Sequence, residues 1–195
     1  MRLRVKYSIN GKIRFISHLD LMRVFFRACI KGNIPVLMTQ GFSPHLKLSW
    51  GLPLSLGMTA SGEYLDMYVE EQVSIPDLRH RLQAGLPQGV TIEEVQQVDE
   101  KLPSLAAALN RALYEVAVPE DKLKDIKTKT EDMLWPRKVA IEVKKGKLFL
   151  DLPLGQKGNV RPIDALGKLW PEEELTELKL WPIHRRKLYY EGNID

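Results

Sequence analysis

Residues 2–36 read RLRVKYSINGKIRFISHLDLMRVFFRACIKGNIPV, and this stretch decides the fold. Arg2–Ser8 alternates apolar and polar side chains, the period of a half-buried strand. Asn10-Gly11 is a turn signal, and Lys12–Ile16 either extends the strand or pairs with it. Ser17 then opens a helix. In Ser17-x-x-Asp20 the serine oxygen can accept from a free backbone N–H of the first turn. Leu19, Met22, Phe26, Cys29 and Ile30 are expected on one apolar face. Gly32-Asn33 ends the helix, and Pro35 prevents its continuation. A strand that turns into a capped helix is the start of a β-α unit.

Outward from there the pattern completes itself. Val36–Thr39 is extended, and the Gly-, Pro- and Ser-rich stretch Gly41–Gly62 reads as a loop or an irregular strand pair. Glu63–Glu70 alternates, Ile75–Leu86 is helical with Pro76 in its first turn, and Val90–Val98 is a strand. The order is β-α-β-β-α-β. The second half repeats it: strand Ala112–Val118, helix Glu120–Leu134, strands Lys138–Val143 and Lys147–Leu152 about Lys145-Gly146, helix Arg161–Trp170, strand Glu177–Leu188. The expectation is an α+β protein of two ferredoxin-like antiparallel sandwich domains in tandem, residues 1–99 and 111–195, with 100–110 as linker.

Bulk properties narrow the function. The 195 residues contain no run of eighteen apolar side chains, so no membrane span is expected. The charged, alternating start is unlike a signal peptide, which points to the cytoplasm. A single cysteine, Cys29, excludes an intramolecular disulfide framework and a cluster held by several thiolates of this chain, and no cofactor is expected. Residues 1–50 hold nine lysines or arginines against one acid, Asp20, whereas residues 51–100 hold two against nine acids. The first fifty residues thus carry a positive field suited to phosphates or to an acidic partner.

Several polar residues there invite chemistry. Arg23, Arg27 and Lys31 recur every fourth residue and form a basic stripe, which is either a solvated helix face or an anion-recognition surface. His18, next to the cap, can donate to phosphate or move a proton near neutral pH. In GFSPHLKLSW (41–50), Phe42 can stack on a base, Lys47 can neutralise phosphate, and Ser43, Ser49 and His45 can hydrogen-bond. If the segment is a strand, Phe42, Leu46, Leu48 and Trp50 form a buried row and Ser43, His45, Lys47 and Ser49 the opposite one. Glu63 and Asp66 are expected to face the histidines or neighbouring arginines. His18 or His45, oriented by Asp20 or Glu63, would be the acid/base set of an enzyme. No His-x-His, His-x-x-x-His or His-Glu-x-x-His spacing calls for a metal. Phosphate-loop, nucleophile-elbow and dinucleotide signatures are absent, as is the three-cysteine CxxxCxxC motif.

The strings RFISHLDLMRVFFRACIKGNIPV and GFSPHLKLSWGLPLSLGMTASGEYLDM resemble the radical-SAM-linked family, a domain of unknown function found alone or fused to radical SAM proteins. The resemblance is strongest over residues 1–70. It places Ser17, His18, Asp20, Arg23, Arg27, Phe42, Pro44, His45, Lys47, Glu63 and Asp66 on the family's signature positions. Leu46 stands where the family usually has proline, and Ile30-Lys31 replaces a more basic pair. The resemblance implies a radical SAM protein as partner. Together with the basic segment it leads to an expected function: an accessory module that binds structured RNA or presents a substrate, without catalysis of its own. Phosphate would be held by Ser17, His18, Arg23, Arg27, Lys31, Ser43, His45 and Lys47, with Asp20, Phe42, Pro44 and Asp66 in support. A protein-interaction subunit and an acid/base enzyme are the alternatives.

Overall fold

The computed structural model describes residues 1–70, 72–124, 126, 135, 138–155, 158–173 and 175–190. The chain has a mixed α and β fold in two compact units, Met1–Ala108 and Leu109–Asp195. Among the described residues no helix is long and apolar enough to cross a membrane.

In the first unit β1 (Arg2–Ile9) leads through a 3-10 turn (Gly11–Phe15) into α1 (His18–Lys31). There follow β2 (Leu48–Trp50), β3 (Thr59–Tyr68), α2 (Ile75–Gly85), β4 (Val90–Val98) and the helical turn α3 (Leu105–Ala108). The strand order is β4-β1-β3-β2, antiparallel throughout. Alternation explains the core: Leu3, Val5 and Tyr7 point to one face, where their cross-strand neighbours Met67 and Leu65 join them beneath α1 and α2.

Two details depart from expectation. Lys12–Ile16 is not strand, because Gly11 takes a positive φ of 66° and folds the chain into the 3-10 turn. The buried face of α1 is Leu21, Phe25, Ala28 and Cys29, and of the expected set only Cys29 belongs to it. The helix carries apolar residues on more than half its circumference, so periodicity alone leaves its rotation open.

Close packing and capping hold this unit together. A Cβ on Gly85 would lie 2.9 Å from the Cα and carbonyl oxygen of Ala28, so glycine lets α2 meet α1 there. Along β4, the Gln83 amide of α2 accepts from the Ile92 N–H at 2.6 Å and donates to the Val90 carbonyl at 3.0 Å. Arg79 donates to the Ile92 carbonyl. Residues 100–108 of the stretch expected to be a linker belong to the first unit. Leu105 and Ala108 are buried, and Arg2 donates to the carbonyls of Leu102 at 2.6 Å and Pro103 at 2.9 Å.

The second unit comprises β5 (Arg111–Val116), a 3-10 turn (Glu120–Leu123), β6 (Ala140–Lys144), β7 (Lys147–Pro153), α4 (Pro162–Leu169), α5 (Leu175–Leu178) and β8 (Ile183–Tyr189). Its order is β8-β5-β7-β6, again antiparallel. The expected helix Glu120–Leu134 begins as the 3-10 turn, and most of it lies outside the described residues. The last strand starts at Ile183 and not at Glu177, since Leu175–Leu178 is helical and Pro182 has no N–H for a ladder. Tyr114, Leu148, Leu150, Leu152, Leu166 and Trp170 are among its buried side chains.

Each unit opens on an arginine used the same way. Arg2, first in β1, binds Asp66, the residue across from Arg4; Arg111, first in β5, binds Asp151, the residue across from Leu113. In both, arginine i reaches the aspartate opposite i+2 and spends further donors on backbone carbonyls.

Candidate functional site

Ser17 caps α1 as its sequence implies. Its Oγ accepts from the Asp20 N–H at 3.1 Å and donates to Asp20 Oδ2 at 2.7 Å. Arg23 adds an ion pair to Asp20 at 2.8 Å. The Ser17 hydroxyl first, and the guanidinium beside it, hold the Asp20 carboxyl below the usual range. Asp20 is therefore an anchor for the start of the helix and for Arg23, not a partner of a histidine.

Half-buried His18 begins a run of rings leading inward: His18 to Trp50 at 5.9 Å, Trp50 to Phe25 at 5.3 Å, Phe25 to Tyr7 at 4.9 Å. Beside it, Arg14, Ser17, His18, Glu63 and Tyr64 line a cavity of about 20 Å³, room for a single water. Glu63 is only 3% exposed and sits across from Tyr7 on the helix side of the sheet. Glu63 and His18 thus do share a cavity, and Arg14 and Tyr64 complete it. Sequence reading passed over those two, although Arg14 falls inside the basic segment and Tyr64 beside Glu63.

Asp66 is elsewhere. Three residues beyond Glu63 on the same strand, it projects from the opposite face. It is wholly buried and accepts from Arg2 at 2.6 Å and 3.0 Å and from Arg4 at 2.8 Å and 3.0 Å. It is the hub of a buried ion network that fixes β1, β3 and the Glu100–Pro103 segment. Of the two places expected for it, beside the histidines or on neighbouring arginines, Asp66 takes the second.

The segment from Leu37 to Lys47 is a projecting finger. The Leu37 N–H donates to Tyr68 O and the Lys47 N–H to Leu37 O, both at 2.7 Å, and Met38 pairs with Leu46. Inside the finger the His45 N–H donates to Thr39 Oγ1 at 3.1 Å, and His45 Nδ1 lies 3.2 Å from the Ser43 carbonyl. Nδ1 also lies 3.1 Å from Thr39 Oγ1, so the ring edge is held between a carbonyl and a hydroxyl. Lys47 Nζ stands 4.2 Å over the Tyr68 ring. Leu46, Leu48 and Trp50 pack partly against the core. Phe42, expected in that row, is fully exposed, because regular strand begins only at Leu48 and the chain before it turns back at Gly41–Pro44. Ser43, Pro44 and His45 are exposed with it.

The sequence-derived candidates therefore fall on separate surfaces. His18, Ser17 and Glu63 gather at the start of α1. Ser43, His45 and Phe42 belong to the finger, and Lys47 turns to the sheet face away from α1. His45 is not among the residues lining the Glu63 cavity. Among the described residues no group of three or more His, Cys, Asp or Glu gathers as a metal site would require.

Arg23, Arg27 and Lys31 are exposed along α1, and among the described residues Arg27 and Lys31 enter no ion pair. Beside them run Leu19, Phe26 and Ile30, which sequence reading assigned to the core and which are exposed by 63%, 36% and 57%. The signal that could have found them is the excess of apolar residues over what one helix face can bury. Cys29 is buried, and burial pushes its thiol up to about 12, so it is no nucleophile at neutral pH.

No curated protein matches the chain. A family described as an uncharacterized protein conserved in bacteria, DUF2344, matches residues 2–157, which takes in the capped helix, the finger and β3. On that match, the chain belongs to the DUF2344 family.

Proposed function

We propose that the protein is a non-catalytic accessory module that binds structured RNA, presenting a phosphate-bearing substrate to a separate radical SAM enzyme in the cytoplasm. The observation that carries this reading is the finger, where a fully exposed Phe42 is followed by exposed Ser43 and His45. An aromatic ring held out in water, with a hydroxyl and an imidazole on the same turn of chain, suits an unstacked base and its phosphate. The cations of α1 add a positive field that draws phosphates in. The separation of His45 from His18 speaks against an acid/base enzyme that uses both histidines, and only a His18–Glu63 pair remains of that alternative. The β4-β1-β3-β2 and β8-β5-β7-β6 orders support reading both units as ferredoxin-like sandwiches.

The test is fluorescence anisotropy with a labelled structured RNA across a salt series. Phe42→Ala should weaken binding about tenfold, within the ~1–3 kcal/mol range of a base stacked on an aromatic ring. Lys47→Ala should reduce the slope of log affinity against log salt by about 1. Affinity that ignores both salt and Phe42→Ala would overturn the reading. A protein-interaction subunit of the radical SAM enzyme is the second reading, favoured by the apolar row on α1.

A further inference from the structure

RNA leaves one surface unexplained. Phe26 and Ile30 lie within roughly 20° of Leu19, one to each side around α1, so the three form one row along the helix. Arg23 starts about 40° to one side, and Arg27 and Lys31 follow on that side at about 80° and 120°. Apolar side chains as exposed as Leu19 and Ile30 would be covered by nothing in a phosphate backbone. They belong to a rigid, capped helix rather than to a loop, so the surface is preformed.

We propose that this face of α1 docks an acidic amphipathic helix of a partner protein. Apolar residues of the partner, at three- and four-residue spacing, cover the Leu19–Phe26–Ile30 row, and carboxylates beside them meet Arg27 and Lys31. Arg23 is already engaged by Asp20, which makes the other two cations the available ones. The row spans about 16 Å, which calls for a partner segment of about three turns. Charge argues against a second copy of this chain: two α1 faces brought together would set Arg27 and Lys31 against their own kind. The inference names the partner chemistry of the protein-interaction reading and does not depend on RNA binding by the finger.

The experiment places a photo-crosslinking amino acid at position 30 of the full chain in cells, with position 91, exposed on β4, as control. The expected result is a light-dependent adduct from position 30 alone, within a segment of one protein that carries carboxylates beside regularly spaced apolar residues. A synthetic peptide of that segment should bind the full chain. Its affinity should fall at least tenfold on Ile30→Ser, on Leu19→Ser and on Arg27→Glu, and stay unchanged on Phe42→Ala. Circular dichroism of each variant establishes that it is folded, and two independent apolar variants guard against loss of one. RNA affinity unchanged by Ile30→Ser separates this surface from the finger. An adduct with RNA, with a second copy of the chain or with a segment lacking carboxylates, or no adduct at all, overturns the proposal.

Discussion

Asp66 accepts hydrogen bonds from two guanidinium groups in a place closed to water. Removing it would leave Arg2 buried and uncompensated, so Asp66→Ala should lower stability by about 3–5 kcal/mol in urea unfolding. The three-residue spacing from Glu63 already implied opposite strand faces. What the sequence could not supply was which face each would take, since that depends on the register of β1 against β3. Glu115 shows the same chemistry nearer the surface. Burial raises its carboxyl, but the hydrogen bond from Lys147 and the charge of Arg186 outweigh this, and its pKa lies below the ordinary 4.5. A carboxyl lowered in the folded state contributes stability above its unfolded pKa and loses it as pH falls through the folded one. Stability should therefore decline on acidification below about pH 4.5, and Glu115→Gln should flatten that part of the urea-midpoint profile.

At the scale of the element, α1 was legible at both ends because capping is local chemistry: a Ser17 hydroxyl, a Gly32 stop. Its rotation was not, because nine apolar side chains compete for a face that buries four. The finger was harder still. Its pairing rests on the edge of β3, more than twenty residues away, and no local pattern announces that. The crossing of α1 and α2 depends on a missing side chain. Gly85→Ala would drive a methyl group into the backbone of Ala28, and the two helices would have to part. The expected cost is about 1–3 kcal/mol, read as a lower thermal midpoint with the far-UV spectrum retained.

Across the whole molecule, two units share a strand order and an arginine placed alike at the start of the first strand. The alternating patterns gave away that repetition, but not the arginine–aspartate clamp, whose partners are sixty-four and forty residues apart. Arg111 also bonds the Lys138 carbonyl and meets the hydroxyl of Tyr189. Arg111→Ala should cost about 1–3 kcal/mol. Hydrogen exchange should speed up in β5, β7 and β8 while amides of Met1–Ala108 keep their protection. The Gln83 amide on β4 has a wider consequence. With the Ile92 N–H and the Val90 and Ile92 carbonyls already engaged by α2, the start of that margin offers no ready template for an incoming strand, whether from a binding peptide or from a growing fibril.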